Sequence, residues 1–507
     1  MFEQFAQVSR ARSDVLAVSD DYNQITFSKL IDAAMALAPW LVAGDGPAVV
    51  WLALPGGVFF TTVQLAGLRA GAVIVPIAAE STTHEATHCA DLLPPDVVVV
   101  WSLRSAAALL LALDESVSVV VVSEEEVVTE RRCVLSWRRI VREAPGKPLA
   151  SHSDATCLPA GTAIVQFTSG STGLPKGIVL TQDNLRSYLD HQRAFLSTFA
   201  DQQVFCPMPQ FHSYGGTVAL EYLSCGASVH MANRFLPAAD VSRIRQHACS
   251  AILASPTYFR LLLQLRAMRE ESLPSLRWIN IGTAAVDRAL VDDLRECRPE
   301  LTIYIRYGLT ETMGYVSHLE IPPGQSLSAP GLVGTPIPGM ALDPGLWGNA
   351  EPREIRVRGE TIAAGALVAR GRCEPLVDGD GWFRTGDLGH VDREGRLHLG
   401  GRLSAFLKRN GFRINPAEIE AVLRAHSGVQ EAVVVGVPDA VAGQRILAVV
   451  EPRQGAVAPE PKELVLFCRL HLSEFKVPQT CIVATLPRTP AGKPDRPRVM
   501  SQFAPGA

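Results

Sequence analysis

Phe167-Thr-Ser-Gly-Ser-Thr-Gly-Leu-Pro-Lys-Gly177 joins two β-branched runs, Ala163–Thr168 and Ile178–Thr181, that read as strands. Its eleven positions hold three glycines, four hydroxyl residues and one lysine. Glycines let backbone N–H groups approach a ligand closely, hydroxyls donate to phosphate oxygens, and Lys176 adds a point charge. The string therefore suits a polyphosphate. It is not a Walker A loop, because GxxxxGK[ST] is unsatisfied, and no GxSxG frames Ser169 or Ser171 as a nucleophile. On composition alone, a hydroxyl-rich turn between two strands competes with the phosphate reading.

Outward from the loop the chain alternates helical and extended patterns. Upstream, Phe27–Leu41 and Val58–Ala70 have helical periodicity, and Ala48–Leu54, Val73–Ile77, Val97–Trp101 and Val117–Val122 read as strands. Downstream, a helix is expected from Asp183, which is placed to act as its N-cap. Strands alternating with helices predict parallel sheets covered on both faces, an α/β fold. From about Pro330 the texture turns β-rich: PGLVGTPIPG is dense in turn residues, and Glu354–Arg358 alternates strictly. Beyond Arg402 a compact α+β segment is predicted, with helices at Pro416–Ala425 and Pro461–Leu472 and strands at Glu431–Val437 and Arg445–Val450.

With 507 residues, the chain has room for roughly two to four compact units. A formal charge of −4 gives no electrostatic footprint for nucleic acid or an anionic membrane. The short acidic run Glu124–Glu126 reads as a solvated loop or helix start. The apolar runs are far shorter than a bilayer span. Ten cysteines stand singly with no CxxC pair, which predicts buried, reduced thiols rather than a disulfide framework or a metal site. The start MFEQFAQVSRARSD lacks the basic-then-apolar pattern of a signal peptide, and a cytoplasmic location is expected.

Further motifs follow the phosphate loop in a fixed order: Tyr307-Gly-Leu-Thr-Glu-Thr312, Gly381-Trp-Phe-Arg-Thr-Gly-Asp-Leu388, Gly400-Gly-Arg-Leu-Ser404, Lys408-Arg-Asn-Gly-Phe-Arg-Ile-Asn-Pro-Ala-Glu-Ile-Glu420 and Pro490-Ala-Gly-Lys-Pro-Asp-Arg496. Each alone has a bland reading. A tyrosine before glycine is commonly a packed strand end, an Asp in a TGD turn an Asx-turn residue, and a lysine near a C-terminus solvated surface. Together with the loop, the ordered set resembles the acyl-adenylate-forming (AMP-binding) superfamily, closest in style to acyl-CoA synthetases and stand-alone acyl- or aryl-acid ligases. The resemblance is clear from about residue 160 to 500, and Leu68-Arg-Ala-Gly-Ala-Val-Ile-Val-Pro76 extends it upstream.

That resemblance implies a large N-terminal domain over 1–401, made of two layered α/β subdomains and a β-rich part at about 330–400. A smaller mobile α+β lid would occupy 402–507. It implies ATP and Mg²⁺ as cofactors, with Thr168, Ser169, Gly170, Ser171, Thr172, Gly173 and Lys176 around the phosphates. Tyr307 would stack on adenine, Thr310 contact the α-phosphate and Glu311 reach Mg²⁺. Asp387 would take both ribose hydroxyls, as one carboxylate can, and Arg402 would contact the nucleotide at the hinge. Ile281-Gly-Thr-Ala-Ala-Val286 would form a further wall, with Gly282, Thr283 and Ala284 joining Gly308 among the nucleotide contacts. Lys493 is the expected catalytic lysine. Ser404 departs from the Asp or Lys usual at the hinge. Gly411 would let the backbone pass close to an incoming acceptor.

His212, in Met208-Pro-Gln-Phe-His-Ser-Tyr-Gly215, stands where amino-acid-activating relatives carry an Asp, and is expected to line the acid pocket or acceptor tunnel; a packed loop histidine is the bland alternative. The expected acid is an aliphatic or aromatic one rather than an α-amino acid. The acceptor is expected to be coenzyme A or the phosphopantetheine of a carrier protein in trans, with an amine as the alternative. Lys408, Arg409 and Arg413 are candidates for the 3′-phosphate of coenzyme A, or else a solvated rim. A non-catalytic nucleotide-binding relative is the reading from another class, and the joint presence of Lys176, Glu311, Asp387, Arg402 and Lys493 argues against it.

Overall fold

The computed structural model describes residues 1–43, 46–123, 134–137, 158–169, 175–232, 234, 236–347, 352–403, 407–409, 412–439, 443–472, 476–490 and 492–504. Gly170, Ser171, Thr172 and Gly173 of the phosphate loop, Glu124–Glu126, Ser404 and Gly411 lie outside the described residues.

Two large sheets dominate. One carries the described strands in the order 372–374, 365–369, 175–181, 162–169, 73–76, 49–53, 97–100, 118–121, 134–136. Its central strand Val49–Ala53 pairs in parallel on both sides, with Val73–Pro76 and Val97–Val100. All five of its residues are buried, and alternate side chains enter different cores: Val50 and Leu52 one, Val49, Trp51 and Ala53 the other. A continuous apolar run is what a strand covered on both faces requires. The second sheet runs from 341–342 through 353–358, 383–391, 397–402, 332–336, 315–321, 302–308, 278–281, 251–254, 203–206 and 228–231 to 16–19 and 24–26. The fold is the mixed α/β arrangement expected.

The β-rich stretch extends both sheets. Gly365–Ala369 pairs with Pro175–Thr181, which bears Lys176, whereas Phe383–Val391 and Leu397–Arg402 join the sheet that bears Tyr307. Residues beyond the strand Leu397–Arg402 build a separate small unit. Strands Val429–Asp439, Gly443–Pro452 and Thr480–Val483 pack on helices Pro416–Arg424 and Pro461–His471 with cores of their own. An ion-pair chain docks this unit on the larger one. Asp287 Oδ2 receives Arg260 Nη2 at 2.6 Å and Arg424 Nε at 3.3 Å, and Arg424 Nη1 continues to Glu431 Oε1 at 3.1 Å.

Three local expectations are corrected. The helix after the phosphate arm is Gln182–Leu196, capped by Thr181 and not Asp183: Asn184 N donates to Thr181 Oγ1 at 3.1 Å and Thr181 N to Asn184 Oδ1 at 2.9 Å, a capping box. The helix expected over Phe27–Leu41 is α-helical only over Phe27–Leu37, because Pro39 has no N–H for the ladder and the chain tightens into the 3₁₀ turn Ala38–Trp40. Thiol burial is not uniform, since Cys297 is exposed on a solvent-facing helix; the described cysteines are all unpaired. No helix among the described residues is long and apolar enough to cross a membrane.

Candidate active site

Strand Thr302–Gly308 ends at the junction of the two units and delivers Tyr307 there. Tyr307 Oη donates to Asp387 Oδ2 at 2.8 Å, and Arg402 Nε donates to Asp387 Oδ1 at 2.6 Å. Asp387 and Arg402 are direct cross-strand partners, so sheet register sets their spacing. Burial, and then the neighbouring Asp387 carboxylate, push the Tyr307 hydroxyl well above its ordinary range, keeping it a neutral donor. One carboxylate thus has both oxygens engaged by groups that a diol could replace.

After Tyr307 the chain must turn at once. A Cβ on Gly308 would sit 2.0 Å from the Gly314 carbonyl oxygen, so only glycine fits between the paired strands. The 3₁₀ turn Thr310–Thr312 follows, and Met313 leaves it with φ of 61°. Thr310 Oγ1 lies 2.9 Å from Ser213 Oγ. Burial raises the Glu311 carboxyl above its ordinary range; its backbone hydrogen bond and the charges of Arg402 and Lys176 only partly offset this. Such a carboxylate has capacity for a cation. Among the described residues no cluster of three or more His, Cys, Asp or Glu could hold a metal unaided, so a cation at Glu311 would draw its other ligands from phosphate oxygens. The residues fit Mg²⁺ on those terms.

His212 is the N-cap of helix Ser213–Cys225, with Nδ1 accepting from Tyr214 N at 3.3 Å. The loop before it is fixed by Gln166 Nε2 donating to Phe211 O at 2.7 Å. Burial, and then the charge of Lys493, lower the His212 pKa to about 4. Lys493 itself is lowered to about 8 by burial and then by Arg402. The lysine of the small unit therefore lies within electrostatic reach of both His212 and Arg402. Its turn is tightly built: Thr489 N donates to Lys493 O and Gly492 N to Thr489 O, each at 2.8 Å, with Gly492 at φ 75°.

Lys176 is exposed on strand Pro175–Thr181 opposite Thr168, and its charge reaches Glu311. On the wall Ile281–Val286, Gly282 is packed so that a Cβ would approach Tyr214 Cε2 to 2.8 Å. Thr283 has φ of 72°, and its buried Oγ1 has no hydrogen-bond partner. A strained residue with an orphaned hydroxyl is a built-in contact point for a polar ligand. Ala284 is exposed at the rim.

The structure thus gathers Tyr307, Asp387, Arg402, Glu311, Thr310, His212 and Lys493, with Lys176 and Thr283 at the edges. Sequence reasoning missed Ser213 and Gln166.

Comparison with known proteins was made against this geometry. The family model described as AMP-binding enzyme matches residues 4–371, and that of the AMP-binding enzyme C-terminal domain matches 418–493. The chain is 30% identical to oxalate--CoA ligase of Arabidopsis thaliana over 526 residues, covering 96% of this chain and 95% of the relative. It is 29% identical to 3-[(3aS,4S,7aS)-7a-methyl-1,5-dioxo-octahydro-1H-inden-4-yl]propanoyl:CoA ligase of Mycobacterium tuberculosis over 497 residues, 97% of this chain and 96% of that one. Its fold is similar to the crystal structure of ATP-bound MatB from Rhodopseudomonas palustris, with a TM-score of 0.81, 24% identity and 99% of each chain covered.

Proposed function

The chain belongs to the AMP-binding enzymes, as an AMP-forming enzyme of the acid–CoA ligase family, and on that premise we propose that it joins an aliphatic or aromatic carboxylic acid to AMP and passes the acyl group to a pantetheine thiol, that of coenzyme A first. The observation that carries the reading is the meeting of Lys493, from the small unit, with His212 and with Arg402, the partner of Asp387, of the large one. A nucleotide held on one body faces a cation supplied by the other.

In the first half-reaction a carboxylate oxygen bonds to the α-phosphorus of ATP, and the bond to the β-phosphate oxygen breaks with its electron pair leaving on pyrophosphate. Both reactants are anionic, so the protein must supply positive charge and alignment rather than a covalent nucleophile. Asp387 and Tyr307 hold the ribose and base, and Thr310, steadied by Ser213, takes an α-phosphate oxygen. Lys176 and the loop before it hold the departing pyrophosphate. Glu311 would hold Mg²⁺, which when bound would supply charge neutralisation on the phosphates. Lys493 balances the charge that builds between carboxylate and α-phosphate. In the second half-reaction the thiol sulfur bonds to the acyl carbon, and the acyl–oxygen bond breaks to release AMP. His212, neutral at working pH, lines the acid's carboxylate end without adding charge. The absence of a carboxylate at that position supports exclusion of free α-amino acids.

The test is acid-dependent pyrophosphate release from ATP over a panel of acids, followed by addition of coenzyme A, a phosphopantetheinylated carrier or simple amines, with mass spectrometry of the products. Pyrophosphate release with thioester formation is expected. Nucleotide binding with no acid-dependent release would defeat the adenylation reading. Amide as the sole acyl product would defeat the thiol assignment.

A further inference from the structure

Two motifs of the small unit end on residues that the reaction leaves unused, Glu420 in Lys408–Glu420 and Arg496 in Pro490–Arg496. Helix Pro416–Arg424 carries the first, and its polar side chains bind groups well outside the helix. Asn415 is the N-cap: Oδ1 accepts from Ala417 N at 3.0 Å, while Nδ2 donates to Gly400 O, two residues before Arg402. The approach is close, since a Cβ on Gly401, whose φ is 127°, would stand 2.6 Å from Asn415 Nδ2. Glu420 is 5% exposed and faces inward. Its Oε1 accepts from Val434 N at 2.8 Å and from Arg496 Nη2 at 2.5 Å, and Arg496 Nη1 donates to Val434 O at 2.8 Å. One turn further on, Arg424 reaches Asp287 of the large unit.

Val434 lies on Val429–Asp439, an edge strand of the three-stranded sheet. Its backbone N–H and C=O need an acceptor and a donor, and Glu420 and Arg496 supply one each. Closing an edge does not call for charge. A buried carboxylate costs free energy that an amide would not, whereas charge-assisted hydrogen bonds are short and hold a guanidinium in one geometry. Arg496 stands three residues beyond Lys493. Pro494 fixes the backbone between them. Thr489 N donates to Lys493 O and Asp495 N to Pro487 O, each at 2.8 Å, and Asp495 caps helix Arg496–Phe503 by accepting from Arg498 N at 3.1 Å. A displacement of Arg496 is therefore passed to the lysine. From Asn415 to Glu420 the helix rises about 7 Å, joining the strand end that bears Arg402 to the turn that bears Lys493. We infer that Glu420 and Arg496 are positioning residues for Lys493, with helix Pro416–Arg424 as the strut that holds the lysine against Arg402.

The inference rests on Lys493 as the cation of adenylation. Facing its amine are Arg402, from strand Leu397–Arg402, and His212, ahead of helix Ser213–Cys225. In its own turn Arg488 is bound to Glu451 and to Gly492 O. Burial, and then Arg402, hold the amine at about 8. A loosened strut admits water and lets the lysine drift from Arg402, and both changes raise its titration point.

Lys493 is titrated directly in the full chain, without substrates, by trace acetylation over a series of pH values with mass spectrometry of the peptide that bears it. Acid-dependent pyrophosphate exchange is measured alongside. Glu420→Gln keeps an acceptor for Val434 N but not the charge, and Arg496→Lys keeps the charge but cannot fork between Val434 O and Glu420. Asn415→Ser keeps an N-cap oxygen but lacks the amide that binds Gly400 O. Each should raise the Lys493 midpoint by about one unit and lower kcat for exchange by about 10–10²-fold. In the Glu420 and Arg496 variants the KM for ATP should hold, because Tyr307, Asp387 and Arg402 remain in place. Asn415→Ser combined with Glu420→Gln should do no more than the worse single variant, because both ends belong to one strut. A purely structural role would lower the unfolding temperature yet leave the midpoint at about 8 and the kcat of the folded protein unchanged. That result, or additive effects in the double variant, would overturn the inference. Asn415 belongs to neither core of the small unit, so its variant decides the matter if Glu420→Gln does not fold. No acid-dependent exchange in the wild type would instead overturn the adenylation reading, while the titration of Lys493 still tests the strut.

Discussion

Lys493 sits at about pH 8 because burial penalises its charged form and Arg402 repels it. In the proposed mechanism it acts as a cation, so the sign follows: acid-dependent pyrophosphate exchange should fall as pH rises through about 8. His212, lowered to about 4, stays neutral across that range and contributes no limb of its own above pH 5. In Lys493→Arg the alkaline limb should vanish from the profile whatever the absolute rate, because a guanidinium keeps its proton. An unchanged limb would show that another group titrates there. Lys493→Ala should lose roughly 10²–10³ in exchange rate or more, while equilibrium binding of ATP survives on Tyr307, Asp387 and Arg402. Near-wild-type exchange in that variant would remove the lysine from the mechanism.

Close backbone approaches help to hold the elements that carry these residues. Gly308 is the clearest case, and Gly308→Ala should cost on the order of 1–3 kcal/mol from overpacking and shift Thr310 and Glu311 together. Thermal unfolding would read the first effect and the KM for ATP the second. Much at this scale was legible in the sequence. The helix Val58–Ala70 and the all-valine strand Val97–Val100 follow from periodicity and β-branching. Boundaries slipped where one residue's chemistry overrode the pattern, as at Thr181 and Pro39. The motif residues of the site were readable because each motif is contiguous. What joins them was not: the bonds Tyr307–Asp387 and Ser213–Thr310 span 80 and 97 positions, and no spacing rule reaches so far.

At the scale of the whole molecule, Lys493 and the proposed nucleotide contacts Tyr307 and Asp387 belong to bodies with separate cores, and the ion-pair chain Arg260–Asp287–Arg424–Glu431 joins those bodies. Burial would raise Asp287, but the guanidiniums of Arg260 and Arg424 outweigh it and leave its carboxyl below the ordinary range. Asp287 also caps helix Arg288–Cys297 by accepting from Leu290 N at 2.9 Å, a role asparagine can keep. Asp287→Asn should therefore loosen docking without unwinding the helix, slowing adenylate formation by on the order of ten-fold, about 1–2 kcal/mol for a partly exposed charged contact. Single-turnover formation of AMP ester, compared at low and high salt, checks this: the wild type should lose rate with salt and the variant should respond less. The joining of the two sheets through the β-rich stretch carries a consequence of another kind. Among the described residues, the outer edge of Gly177–Val179 is covered by Gly365–Leu367, which leaves the ribosome roughly 190 residues later, about 10–40 s at ordinary rates of synthesis. For that interval a growing chain exposes an apolar strand edge of the kind that templates aggregation. Expression yield should therefore depend on the tempo of translation and on shielding of that edge, and weakening the cover by Leu367→Lys should deplete the soluble fraction more than it slows the enzyme that survives in it.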